Sequence, residues 1–208
     1  MLGDLDLDGH LDMIGGSNLP STGGKVTVRH GNGDGTFGAP TDYALPNVLG
    51  SGYHVVTGDV DGDGVLDLAA TGGTLHGLSV LLGNGDGTFG PRHDVSNGNF
   101  PNSIACADVN GDQLADLVFT DYNSNTLSLV MSVGGDFDQK IDFTVPAGPV
   151  TIGDLNGDSR PDIASAWNSA SKAGVTILFQ DLNEVFGPPQ TFPLGIGGIS
   201  PIRSRSRT

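Results

Sequence analysis

The chain carries one nine-residue acidic loop four times: DLDLDGHLD from Asp4, DVDGDGVLD from Asp59, DVNGDQLAD from Asp108 and DLNGDSRPD from Asp154. In an extended segment alternate side chains share a side, so Asp59, Asp61 and Asp63 converge while Val60 and Gly62 face elsewhere. Three carboxylates so placed repel unless a cation sits among them. Gly64 permits the sharp turn, the Val65 carbonyl offers a neutral oxygen and Asp67 closes the shell. An all-oxygen donor set selects a hard cation, and a flexible, carboxylate-rich cage suits calcium better than magnesium. The other predicted ligand sets are Asp4, Asp6, Asp8, the His10 carbonyl and Asp12; Asp108, Asn110, Asp112, the Leu114 carbonyl and Asp116; and Asp154, Asn156, Asp158, the Arg160 carbonyl and Asp162. Up to four calcium ions are expected.

An EF-hand begins in the same way, but it needs an acidic residue at the twelfth loop position and a helix afterwards. Here the twelfth positions are Gly15, Ala70, Phe119 and Ser165, and apolar runs such as DLAATGG and DLVFTDY follow the loops. Each loop therefore joins two strands. The first aspartates recur at intervals of 55, 49 and 46 residues, a spacing that signals a repeat architecture. A second strand follows in each unit (KVTVRH, LSVLLG, LSLVMS, VTILFQ), then a turn and an aromatic at Phe37, Phe89, Phe137 or Phe186. Two of the turns read GNGDGTFG, with Asn32 and Asp34 expected to take left-handed geometry. The unit is four short antiparallel strands, which is a propeller blade. The fold class is all-β, with repeats at about 1–45, 46–96, 97–144 and 145–191, a partial fifth at 192–202 and a disordered tail at 203–208.

The pairing of DxDxDGxxD with a downstream Phe-Gly, as at Phe37-Gly38 and Phe89-Gly90, resembles the FG-GAP or VCBS-type repeat of integrin alpha-subunit head domains and many bacterial secreted proteins. The resemblance implies a β-propeller, usually seven-bladed, with structural calcium in the acidic loops. Four repeats would then be part of a larger propeller. Three departures stand out. Gln113 and Ser159 replace the turn glycine, and Asn110 and Asn156 replace the third-position aspartate, so sites three and four should bind more weakly. Asp138 follows Phe137, so the third blade is expected to be degenerate at its outer strand. The first loop lacks the leading strand that YHVVTGD, SIACAD and PVTIGD supply to the others, and the chain is expected to be a portion of a longer protein, with a four-blade ring as the alternative if 192–202 supplied that strand.

The acidic balance follows from the loops, which hold fourteen of the 24 acidic residues; eight positive charges from four ions would bring the formal charge from −15 to −7. The nine lysines and arginines are scattered, three of them within the last six residues, so nucleic-acid binding is disfavoured. No stretch is long enough to span a membrane as a helix. Cys106, the one cysteine, reads as a small core residue. Loops lacking a bidentate twelfth-position Glu belong at dissociation constants of roughly 0.1–1 mM. With about 1 mM calcium the tighter value stabilises the fold by about 1.4 kcal/mol per ion. Such sites fill only outside the cytosol, so a secreted or cell-surface location is expected.

In a propeller the connections between second and third strands, and between blades, share the face opposite the acidic loops. That face is expected to carry 17–24, 41–54, 97–102, 121–126 and 167–174, polar and aromatic-tipped segments on a rigid scaffold. Tyr43, Asp121, Tyr122, Asn123, Trp167 and Asn168 are the candidate ligand-binding residues, suited to stacking on a sugar ring and to amide hydrogen bonds. The expected function is an adhesion or binding module for a glycan or extracellular protein, not an enzyme. The alternatives are part of a secreted polysaccharide-degrading enzyme, for which Asp42 and Asp121 are the available acids, and an architectural spacer. The five histidines show no ligand spacing and read as turn residues, with His54 and His76 nearest the binding face.

Overall fold

The computed structural model describes residues 1–19, 23–45, 54–71, 77–95, 101–169 and 172–194. They form four antiparallel four-stranded sheets, each a meander in chain order. The first holds β1 (Leu2–Gly3), β2 (Asp12–Leu19), β3 (Gly23–Arg29) and β4 (Thr41–Leu45); the second β5 (Val55–Gly58), β6 (Asp67–Thr71), β7 (Leu78–Leu81) and β8 (His93–Val95). The third holds β9 (Pro101–Ala107), β10 (Asp116–Asp121), β11 (Thr126–Val133) and β12 (Asp136–Thr144); the fourth β13 (Val150–Gly153), β14 (Asp162–Asn168), β15 (Ala173–Leu178) and β16 (Gln190–Leu194). Every acidic loop joins the first strand of a sheet to its second, as in propeller blades. Among the described residues the first and fourth sheets do not close into a ring. No helix is long and apolar enough to cross a membrane.

Period-two alternation explains how the sheets stack. Leu68 and Ala70 of β6 enter one core with Ile14, Val26 and Val28 of the first sheet, while Ala69 between them enters the next with Ile104, Leu117 and Phe119. Val118, which lies between Leu117 and Phe119, turns the other way, to Ile163 and Leu178 of the fourth sheet. Both faces of β6 and β10 are thus covered, and every residue of these strands is buried. This is why DLAAT and DLVFTD lack a polar alternate at their centres. β16, the outer strand of the last sheet, is exposed throughout.

Hydrogen bonds tie consecutive blades together at one recurring point, the carbonyl of the second loop residue. Leu5 O accepts the Gly87 N–H at 3.2 Å, Val60 O accepts the Gly135 N–H at 3.3 Å and the Ser132 hydroxyl, and Val109 O accepts the Gln180 side-chain amide. The next blade covers these residues, and Leu5, Val60 and Val109 are each 1% exposed. Leu155, their equivalent in the fourth blade, is 49% exposed.

Five local expectations are corrected. The first blade does have a leading strand: Leu2 pairs with Met13 and Gly3 with Asp12, and the terminal ammonium donates to Ile14 O at 2.9 Å. With that place taken by β1, and 192–194 lying in β16, the four-blade ring loses its basis; 195–208 lies outside the described residues. The third blade is not degenerate, since β12 runs for nine residues; Phe137 keeps its place opposite Ser132, and a register shift between Val130 and Ser132 absorbs the altered turn. Residues 41–45, read as loop, are the outer strand β4, because their pairing with Gly24–Val28 is non-local. In the GNGDGTFG turns the left-handed residues are Gly33, Gly35, Gly85 and Gly87. Asp34 and Asp86 instead accept the N–H and hydroxyl of Thr36 and Thr88.

Candidate metal centres

All four acidic loops share one backbone. Their fourth and sixth residues have positive φ: Leu7 at 60° and Gly9 at 87°, Gly62 at 82° and Gly64 at 84°, Gly111 at 79° and Gln113 at 74°, Gly157 at 82° and Ser159 at 66°. A non-glycine residue held there costs about 1 kcal/mol, so Leu7, Gln113 and Ser159 are held in place by their surroundings. Those surroundings are the loop's own carboxylates. The first aspartate accepts the N–H of the sixth residue, as in Gly9 to Asp4 at 3.0 Å and Gly64 to Asp59, Gln113 to Asp108 and Ser159 to Asp154 at 2.9 Å. Asp6, Asp61, Asn110 and Asn156 accept the N–H two residues on, at 3.3, 3.2, 2.9 and 2.9 Å. Asp8, Asp63, Asp112 and Asp158 in turn accept the N–H of His10, Val65, Leu114 and Arg160.

The ninth residue is a buried strut. Asp12, Asp67, Asp116 and Asp162 are at most 1% exposed. One oxygen of each accepts the N–H of its loop's second residue, at 2.9, 2.7, 3.0 and 3.0 Å. The other accepts an N–H from the end of the third strand, at Gly31, Gly83, Ser132 or Gln180. Burial pushes the Asp67 and Asp116 carboxyls up to about 6, against the pull of these backbone donors. Asp61 is also raised, again by burial first. A divalent cation would remove the penalty that burial places on these charges.

The loops differ in how far their acids converge. Ligand atoms of Asp4, Asp6 and Asp8 lie within 4.8 Å of one another, as do those of Asp59, Asp61 and Asp67. Asp4 Oδ1 is buried without a hydrogen-bond partner, the condition of an oxygen placed for a cation. The residues of loops one and two therefore fit calcium. In loops three and four no three carboxylates come so close. There the Asn110 amide donates to Asp112 Oδ2 at 2.9 Å, and the Arg160 guanidinium pairs with Asp158. These side chains do part of a cation's work.

Sequence spacing missed two histidines. His10 Nδ1 lies 3.1 Å from Asp8 Oδ2, and this hydrogen bond raises its pKa. His30 Nδ1 lies 3.4 Å from Asp6 Oδ2 and 3.6 Å from Asp12 Oδ2. No motif connects residues 12 and 30; the β2–β3 hairpin brings them together. His54 lies just before β5, its N–H donating to the Thr71 hydroxyl, and His76 is outside the described residues.

The six candidate binding residues divide, and Tyr43 does not lie on the face opposite the acidic loops: its ring reaches Phe89 in the turn beside the second loop. Tyr122 is 61% exposed, and Asn123 and Asn168 are exposed beside it and in the equivalent turn of the fourth blade. Asp121 is buried and accepts the N–H groups of Asn123 and Ser124, so its carboxylate shapes the turn. Trp167 is half-buried, and a Cβ on its cross-strand partner Gly174 would lie 2.5 Å from Cζ2. Its indole Nε1 is buried without a partner. Tyr43 packs edge-on against Phe89 at 5.2 Å, between the first two blades. Asp42 is held by Lys25 at 2.5 Å and Thr27 at 2.6 Å. Burial pushes the Cys106 thiol up to about 12, which suits its packing role against Gly58.

Comparison with known proteins agrees with the fold. In shape the chain is similar to an Agrocybe aegerita lectin studied for specific recognition of non-reducing terminal N-acetylglucosamine, with a TM-score of 0.62 and 23% identity over 91% of the chain. The chain spans half the length of that lectin chain. No curated protein matches in sequence. The model of the FG-GAP-like repeat matches residues 4–70, 68–119 and 108–165, each span opening on or enclosing an acidic loop. The chain belongs to the FG-GAP-like repeat family.

Proposed function

We propose that this chain is a calcium-stabilised binding module of the extracellular space, recognising a glycan or extracellular protein through the face opposite its acidic loops. One observation carries the reading. Each sheet commits one end to a carboxylate loop, while the other end of the third sheet leaves Tyr122 and Asn123 in solvent on the β10–β11 hairpin. An exposed ring beside amide donors is the chemistry that stacks on and orients a sugar. The lectin's fold and its ligand support the glycan arm. Asp4, Asp6, Asp8 and Asp12, and Asp59, Asp61, Asp63 and Asp67, would hold two of the ions, with weaker ions at the Asp108 and Asp154 loops. Calcium here supplies charge neutralisation and cross-links, not chemistry on a substrate. Millimolar calcium fills such sites, which favours secretion or surface display. Further blades are part of the proposal: Leu155 lacks the cover that the next blade gives Leu5, Val60 and Val109.

The test is a glycan array rich in terminal N-acetylglucosamine, with matrix proteins alongside, probed in calcium. Binding that Tyr122→Ala abolishes without lowering thermal stability is expected. Binding that survives this change would move the site elsewhere, and no binding to either class would favour the spacer.

A further inference from the structure

We propose that the first acidic loop is also a mixed nitrogen–oxygen centre, in which Asp6, Asp12 and His30 take a divalent transition ion of the zinc class. Ligand atoms of the three lie within 4.8 Å of one another. His30 Nδ1 is buried and has no hydrogen-bond partner. Its distances to Asp6 and Asp12, 3.4 and 3.6 Å, exceed the N–H···O range of roughly 2.7–3.2 Å. They match the edge of a tetrahedron of ligands around an ion with bonds near 2.1 Å, which is roughly 3.4 Å. Imidazole nitrogen suits zinc and its transition-row neighbours, whereas calcium takes oxygen.

The centre is held from several sides. Asp12 is fully buried, with Oδ2 accepting the Leu5 N–H and Oδ1 the Gly31 N–H, both at 2.9 Å. Each oxygen keeps a second lone pair for a metal. Because His30 immediately precedes Gly31, the bond that orients Asp12 also delivers the imidazole. Behind the ring lies Gly87 of the second blade, where any Cβ would collide with Cε1. The ring is therefore seated between two blades. In the other blades the residues at this strand-end position are Leu82, Met131 and Phe179. Met131 Sδ lies 3.9 Å from the Asn110 amide nitrogen at the third loop position, so the position reaches the loop in another blade too. A ring nitrogen occupies it only in the first blade.

Because His30 plays no part in the calcium reading of the other loops, the two can fail separately. The experiment is calorimetric titration of Zn2+ into chelator-stripped protein, repeated in calcium, with Co2+ absorption reporting nitrogen ligation. One Zn2+ per chain is expected, competing with calcium at Asp6 and Asp12. His30→Leu, which installs the second blade's residue, should weaken Zn2+ by at least the roughly 10–100-fold that losing an outer-shell partner costs and remove the nitrogen signature. The same variant should keep the thermal shift that calcium gives through the other loops. His30→Gln repeats the test should the leucine variant fail to fold, and His93→Ala, at an exposed histidine remote from this loop, should leave Zn2+ binding unchanged. Equal Zn2+ affinity in wild type and the His30 variants, or no stoichiometric Zn2+ binding by folded wild type, overturns the proposal.

Discussion

Asp61 and Asp67 belong to the same loop, yet their removal should differ in a way that only calcium reveals. Asp67 is buried, its two oxygens accepting the Val60 N–H at 2.7 Å and the Gly83 N–H at 2.8 Å. Asp67→Ala leaves one buried and one half-buried donor unpaired at about 1–3 kcal/mol each, a loss of about 4 kcal/mol that requires no metal and is read below pH 6, where the carboxyl carries no burial penalty. Asp61 accepts one long hydrogen bond at the loop surface, 3.2 Å from the Asp63 nitrogen. Asp61→Ala should therefore forfeit only the ion, about 1.4 kcal/mol with a dissociation constant near 0.1 mM and about 1 mM calcium. In chelator its effect should vanish or reverse, since burial already disfavours that charge. Urea unfolding of both variants, in calcium and in chelator, separates the terms. If the Asp67→Ala loss disappeared in chelator, or the Asp61→Ala loss persisted there, the division into strut and ligand would be refuted.

Phe119→Ala, at a fully buried ring between the second and third sheets, should cost about 3–5 kcal/mol in the same assay. Gln113→Gly and Ser159→Gly relieve left-handed backbone at 74° and 66° and should each stabilise by about 0.5–1 kcal/mol; a loss on denaturant unfolding would contradict the shared loop geometry. In chelator, Asp67 and Asp116 should titrate near pH 6 by carboxyl NMR, against an ordinary value of 3.8. Folding then takes up protons between these values, so their contribution to stability is fully present below about pH 4 and lost as pH rises through 6. Saturating calcium should drive both titrations downward.

The local features are legible in the sequence because their information repeats within single segments. The carboxylate spacing, the apolar runs after each loop and the recurring Gly-Asn-Gly-Asp turn each carry a period of two or a turn signature. Together they imply four antiparallel four-stranded blades. Asn110 and Asn156 leave their loops one carboxylate short, which the sequence shows directly.

What escaped lies where partners are distant along the chain. Thr41–Leu45 looks polar and loop-like because only one of its faces meets the core; pairing with β3 makes it a strand. Asp121 looked like a rim acid, but the turn it caps draws its carboxylate inward. His30 looked like a turn residue until the β2–β3 hairpin set it against Asp6 and Asp12 and the second blade closed behind it. By itself the sequence determined the blade and its acidic loop, since both arise from neighbours within about ten residues. Only the tertiary structure decided which carboxylates are buried struts, which aromatics remain in solvent and which histidine reaches a metal loop, because those depend on the blade packed alongside.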